Sequence, residues 1–304
     1  MRNALILLSC AMATGMSAQE IVSGTNWYDG MSIFVASKGN GQQTVLESRS
    51  EGESTTIVLL PVTGESGRYY ATWVDAEDDT ETTFEMRSLA GKRILVEHDG
   101  ENVRRVYSET TKSLEAESRD DWEAMIVGRY ESDAKNAKNV TIDNGKIALG
   151  KDKCSYKTLM FNGLPSGVVE IAGKSEWAGT WMVEVTTEGV RLASCRQDEN
   201  VGFEKDGKRV LDLRWADRSK SRWAFASARV LNSGIYRLSP EVLRLMRNAI
   251  MAAHGYSFES TDLKDYFASC GWYRPAESNN IQLTDVERLN VLLIQQMEKE
   301  KTAK

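Results

Sequence analysis

Lys138-Asn-Val-Thr-Ile-Asp143, Asn144-Gly145, Lys146-Ile-Ala-Leu149 is the stretch on which the fold turns. Two short runs alternate apolar and polar residues on either side of an Asn-Gly pair. That pattern predicts two antiparallel strands joined by a tight type I′ turn. The same texture spreads in both directions. Downstream, Gly179-Thr-Trp-Met-Val-Glu-Val185 and Gly189-Val-Arg-Leu-Ala-Ser194 form a second hairpin around Thr187-Glu188-Gly189, and residues 208–215 and 223–226 are expected to finish the sheet. Upstream, residues 31–36, 55–62, 68–74 and 92–97 are rich in β-branched and aromatic side chains. Gly39-Asn40-Gly41, Gly64-Glu65-Ser66-Gly67 and Asp99-Gly100 supply turns between them. Gly67-Arg68-Tyr69 and Gly128-Arg129-Tyr130 each open a strand-like run, but three shared residues are too few to define a repeat.

The period changes after Gly234. Ser239-Pro240-Glu241 opens a helix, with Ser as cap, Pro in the first turn and Glu at the positive end of the dipole. Val242, Leu245, Met246, Ala249, Ile250 and Ala253 follow at helical spacing, and His254-Gly255 ends the run. Thr261-Asp262 starts a short second helix, and Thr284-Asp-Val-Glu287 is a capping box for a third. The fold class read from these patterns is α+β: two strand-rich antiparallel units, as meanders, barrels or sandwiches, followed by a small three-helix C-terminal domain. The expected organisation is a leader at 1–18, a β-rich domain at 19–109, a linker or short surface helix at 110–121, a second β-rich domain at 122–234 and a helical domain at 235–304.

This tail resembles the YARHG domain family over about residues 238–299. Arg247-Asn248, Ile250, Ala252, His254-Gly255-Tyr256 and Phe258 match the opening pattern. Asp262-Leu263, Tyr266-Phe267, Trp272-Tyr273 and Pro275 match the middle, and Leu283, Glu287 and Asn290 fit the last helix. In the five-residue core motif the chain reads Met251-Ala252-Ala253-His254-Gly255, so Met stands for Tyr and Ala for Arg. The resemblance implies a domain from the C-terminal end of exported bacterial proteins, without established catalysis.

The N-terminus agrees with that address. Met1-Arg2-Asn3 is positively charged, Ala4-Leu5-Ile6-Leu7-Leu8 begins an apolar core, and Thr14-Gly15-Met16-Ser17-Ala18 is a small-residue stretch. This is the order of a secretory signal with cleavage near Ala18. The expected location is therefore extracytoplasmic, either periplasmic or secreted. A lipid anchor at Cys10 is disfavoured, since cleavage there leaves a very short apolar core. No apolar run exceeds five residues, which excludes a transmembrane helix. With 38 Lys+Arg against 44 Asp+Glu the chain lacks the basic surplus of a nucleic-acid protein.

Removing the leader leaves three cysteines, Cys154, Cys195 and Cys270. In an oxidising compartment Cys154 and Cys195, both in the second strand-rich unit, are the expected couple, with three buried thiols as the alternative. Only two histidines are present. His98 has no Gly-x-Ser-x-Gly elbow to serve. His254, at a helix C-terminus beside Tyr256 and Trp272, is a candidate contact or a structural histidine. Asp75-Ala-Glu77-Asp78-Asp79-Thr-Glu81 invites calcium, but Thr80 and Met86 stand where an EF-hand needs its glycine and closing glutamate.

Arg214, Trp215, Arg218, Arg222 and Trp223 interleave charge and indole rings, a combination suited to an anionic envelope polymer, or else to a hairpin with a solvated basic turn. Eight tryptophans could supply a carbohydrate-binding face, although most large aromatics pack inside. These features favour a non-catalytic binding or interaction protein at the cell envelope, with no cofactor and no metal. Its partner is an envelope polymer or another exported protein. The competing class is a hydrolase acting on envelope glycan or peptide with Asp/Glu acids, although no pair of carboxylates is singled out by spacing.

Overall fold

The computed structural model describes residues 20–48, 54–74, 82–198 and 202–303. The leader at 1–18, Cys10 and the acidic cluster at 75–81 lie outside these residues.

Two eight-stranded antiparallel barrels follow each other along the chain. The first consists of β1 (Asn26–Tyr28), β2 (Ile33–Lys38), β3 (Thr44–Ser48), β4 (Thr56–Pro61), β5 (Arg68–Val74), β6 (Thr82–Leu89), β7 (Lys92–Asp99) and β8 (Asn102–Thr110). Each strand pairs with the next, and β8 returns to β1 through Trp27 opposite Glu109. The second consists of β9 (Gly128–Glu131), β10 (Asn139–Asp143), β11 (Lys146–Leu149), β12 (Asp152–Phe161), β13 (Leu164–Ile171), β14 (Gly179–Val185), β15 (Gly189–Asp198) and β16 (Gly202–Trp215). Trp215 opposite Tyr130 closes it. Closure pairs every strand on both sides and so removes the exposed edges of an open sheet. Gly67-Arg68-Tyr69 opens the fifth strand of one barrel and Gly128-Arg129-Tyr130 the first strand of the other, so the shared triplet marks no equivalent place.

The two hairpins read from the sequence are present, with Asp143 opposite Lys146 and Val185 opposite Val190. The turn type at 144–145 differs from the expectation. Gly145 has φ +68°, but Ala90 and Asn162 are the non-glycine residues with positive φ among those described. Asn144 instead donates its backbone N–H to Asp143 Oδ1 at 2.8 Å. Two-residue turns with positive φ at both positions occur at Ala90-Gly91 and Asn162-Gly163. Residues 223–226 also depart from the expected strand: the chain leaves the sheet after Trp215 and forms a helical turn, α2 (Phe225–Ala228).

The 110–121 stretch is the end of β8 followed by a 13-residue helix, α1 (Leu114–Ile126), capped by Ser113. Its buried apolar residues, Trp122, Met125 and Ile126, come after the polar run, so its amphipathic period shows only across the expected boundary. The C-terminal helices are α3 (Pro240–Ala253), α4 (Thr261–Ser269) and α5 (Asp285–Thr302). Ser239 caps α3, Gly255 follows it at φ +79°, and both arms of the Thr284/Glu287 capping box are made.

Side chains gather into two cores. Trp27, Phe34, Leu46, Ile57, Phe84 and Leu95 fill the first barrel. The second core is continuous: the inward residues of the second barrel, α1 and the C-terminal helices share it with Ile94, Val96, Val103 and Val106 from β7 and β8. Strand β7 is thus buried on both faces, with Leu95 and Glu97 toward the lumen and Ile94 and Val96 toward the helices.

Candidate functional site

The alternation of a strand places every second residue in the lumen. In β2 those residues run Phe34, Ala36, Lys38, and in β3 they run from Leu46 to Thr44. In β4 and β5 the lumen rows end at Pro61 and Tyr69. The rows of β2 and β3 thus end on the polar Lys38 and Thr44, beside Pro61 and the Tyr69 ring, at one end of the first barrel. There the turns between β2 and β3 and between β4 and β5, together with residues 20–23, enclose an open cavity of about 670 Å3. Ile21 and Tyr69 are buried at its base. Arg93 Nη2 donates to the Glu20 carbonyl at 2.6 Å and ties the N-terminal segment to β7. On the rim, Arg68 Nη1 lies 3.0 Å from Glu65 Oε2, an exposed pair that contributes little stability. Ser23, Gln42, Thr44 and Ser66 also line the cavity, and none of these side chains is taken up by a partner among the described residues.

Deeper in the same barrel is a buried ionic cluster. Glu97 is fully buried; Tyr107 Oη donates to its Oε2 at 2.7 Å. A β-bulge after Glu97 inserts Arg104 next to Arg105, so both guanidinium groups flank this carboxyl. Arg104 Nε stops 3.7 Å from Oε1, which has no hydrogen bond, and Arg105 lies over the Trp73 ring at 5.4 Å. Burial pushes the Glu97 carboxyl above its usual range, against the pull of Arg105, the Tyr107 hydroxyl and Arg104. The carboxyl and the phenol are buried, while Arg104 reaches from them to the surface.

The residues singled out in the sequence are not brought together. His254 Nε2 lies 2.8 Å from Glu287 Oε1, joining the C-terminus of α3 to the N-terminus of α5, where the Glu287 carboxylate suits the helix dipole. Burial raises the Glu287 carboxyl, but the bonds from His254 and Thr284 outweigh it and hold it below the usual value. Tyr256 accepts a hydrogen bond from Tyr273 Oη at its carbonyl and stacks edge-on against Phe258. Trp272 packs edge-on against the buried Phe267.

The basic, tryptophan-bearing stretch is not an exposed aromatic strip. Trp223 is 2% exposed, and Arg222, also buried, lies over its ring at 4.4 Å while donating to the Thr186 carbonyl. Arg214 is engaged by Asp133 through two 2.8 Å bonds, and Trp215 sits half-buried on Gly128, edge-on to Tyr130. Arg218 is exposed at the surface. The tryptophans are drawn inward because this segment joins the second barrel to the helices, and its apolar rings fill that junction.

The expected Cys154–Cys195 disulfide is corrected: both are free thiols, as is Cys270. Cys154 is on β12 and Cys195 on β15, with two strands between them. At about 4.8 Å per strand they stand roughly 14 Å apart along the sheet, beyond the reach of a disulfide. His98 pairs with Glu85 at 3.6 Å on the outside of the first barrel. No group of three or more His, Cys, Asp or Glu side chains among the described residues is placed to hold a metal ion. Among the same residues no helix is long and apolar enough to cross a membrane.

Two structural centres escaped the sequence reading. Asp121 on α1 accepts from Tyr28 Oη at 3.1 Å and Asn232 Nδ2 at 2.7 Å and meets Arg229 at 3.2 Å, tying the first barrel to the entry of the helical region. Beside it, a Cβ on Gly30 would fall 2.2 Å from the Gly234 nitrogen, so only glycine permits this approach. Asn290 on α5, fully buried, accepts from the Leu231 N–H and donates to the Ala226 and Arg229 carbonyls. It was visible only as a matching residue of the last helix; its partners lie about sixty positions earlier in the chain.

The protein is thus a tandem of up-and-down barrels closed by a helical C-terminal region. Residues 223–299 match the family model of the YARHG domain. The match begins upstream of residue 235, in the segment that Asn290 holds against α5. No curated protein and no solved structure matches the chain.

Proposed function

We propose that this is a non-catalytic, extracytoplasmic binding protein that captures a cell-envelope polymer at the mouth of its first barrel. The observation that carries this reading is the asymmetry of the two barrels. The second is packed into one core with the helices and carries a cavity of about 330 Å3 beside Trp215, whereas the first carries one of about 670 Å3 open to solvent, well within the size range of small-ligand sites. The signal-like N-terminus and the YARHG match support an exported address.

The test is a pull-down of the chain lacking residues 1–18 on insoluble envelope polymer, beside the same chain with Ser66→Trp, which fills the mouth from an exposed turn. Capture by the parent and loss in the variant is the expected result. Equal capture by both removes the mouth from the function, and hydrolysis of the polymer by the parent replaces the binder with the hydrolase.

A further inference from the structure

We infer that the mouth of the first barrel takes the end of a short, neutral oligosaccharide rather than an anionic polymer or a peptide. This rests on the reading of the mouth as the capture site and specifies its chemistry. The cavity-lining side chains without a partner among the described residues include the hydroxyls of Ser23, Ser37, Thr44 and Ser66 and the amide of Gln42, beside one cation and one anion, Lys38 and Glu20. Hydroxyls and amides both donate and accept, as sugar hydroxyls do, so each contact can be made in either sense. The charges balance: Lys38 and Arg68 face Glu20 and Glu65, and Arg68 and Glu65 already neutralise each other across 3.0 Å. A cavity with such a lining offers no net field to a polyanion.

A peptide is recognised most readily by adding a strand to an exposed sheet edge, and the closed barrel presents none. The base supplies the complementary apolar element. Ile21 shares a core with Tyr69, Pro61 stands opposite Tyr69 across β4 and β5, and Val62 also lines the cavity; the C–H faces of a pyranose can rest on this apolar side while its hydroxyls reach the rim. The site reads one neutral chain end. In the basic tryptophan stretch, which suggested an anionic ligand, Arg222 and Trp223 are buried and Arg214 is paired with Asp133.

The experiment is a titration of the chain lacking residues 1–18, followed by amide NMR and calorimetry, with four probes: chitotriose, maltotriose, trigalacturonate and trialanine. Binding of a neutral trisaccharide is expected, with shifts at Gln42, Thr44 and Ser66 and no loss of affinity on adding salt. In the double variant Gln42→Ala, Ser66→Ala, both exposed turn positions, affinity should fall about tenfold. Salt-sensitive binding of trigalacturonate, or binding of trialanine, with shifts at the same residues overturns the ligand class but keeps the mouth as the capture site. A trisaccharide that binds the double variant equally well overturns the assigned contacts. If no probe shifts a mouth residue, both the ligand class and the site fall.

Discussion

The two barrels share strand number and the same neighbour-to-neighbour meander and both have packed interiors, yet they differ in what continues from those interiors. The second encloses Trp181, Tyr130, Ile142 and Leu192 and runs without interruption into α1 and the C-terminal helices. The first keeps a core of its own, buries Glu97 and Asp29 beside Arg105, and stays open at one end. An eight-stranded barrel has an interior just wide enough either to fill with side chains or to hold a small ligand. Which of these happens depends on the last inward residue of each strand and on what covers the ends. In the first barrel Lys38, Thr44 and Pro61 occupy those rim places. In the second, Trp122, Met125 and Ile126 of α1 add apolar bulk to the same core.

The largest effect should come from the shared core. Trp181 is 1% exposed, donates from Nε1 to the Trp177 carbonyl at 2.8 Å and is covered by Arg209. Trp181→Ala should cost about 3–5 kcal/mol in urea unfolding. The helical signal should fall together with the second barrel, and helices that outlast it would break the picture of one core.

Asn290→Ala should come next, at about 3 kcal/mol, because it strands one N–H and two carbonyls inside the junction. Hydrogen exchange at residues 226–231 would then rise well before exchange in the first barrel. Uniform acceleration would mean that the two regions are not separable.

The first barrel should be the more pH-sensitive of the two. Burial raises the Glu97 carboxyl, so its folded-state pKa lies above its unfolded one and the folded chain holds the proton more tightly. Stability should therefore rise as pH falls from neutrality through the folded-state value, and level off below the ordinary carboxylate range. Glu97→Gln should shrink that slope. Some should remain, since burial also raises Asp29 and Asp121. Tyr107→Phe should cost about 1–3 kcal/mol at neutral pH and less in acid, where the carboxyl it serves is protonated. An unchanged pH profile in Glu97→Gln would remove the buried charge as a distinction between the barrels.

The smallest effect should be a gain. Ala90 sits at φ +49°, where a Cβ is strained, and Ala90→Gly should raise the melting temperature slightly, by up to about 1 kcal/mol in stability.

Much of the local architecture was legible in the residues. The alternation around 138–149, the cap at Ser239-Pro240 and the box at Thr284/Glu287 depend on neighbours a few positions away, and all three stand where the pattern put them. The candidate site was legible hardly at all. Gln42, Thr44 and Ser66 look like ordinary turn and strand-end residues until three separate segments meet around them. The indoles of 215 and 223 looked like a binding face because side-chain chemistry alone does not say which way a ring points. The Cys154–Cys195 pairing failed for a related reason: sharing a sheet does not bring two cysteines to adjacent strands.

By itself, then, the sequence determined the strand-rich body, the helical tail with its caps, its likeness to the YARHG domain and the charge balance, because these follow from short-range periodicity and composition. Tertiary structure alone decided that both β units close, by pairing β1 with β8 and β16 with β9, and that the filled first barrel carries the larger cavity at one end. Closure and burial depend on contacts between residues far apart in the chain, such as Trp27 with Glu109 and Asn290 with Leu231. Whether a polar side chain ends as a free ligand contact or a buried partner is settled by what packs against it.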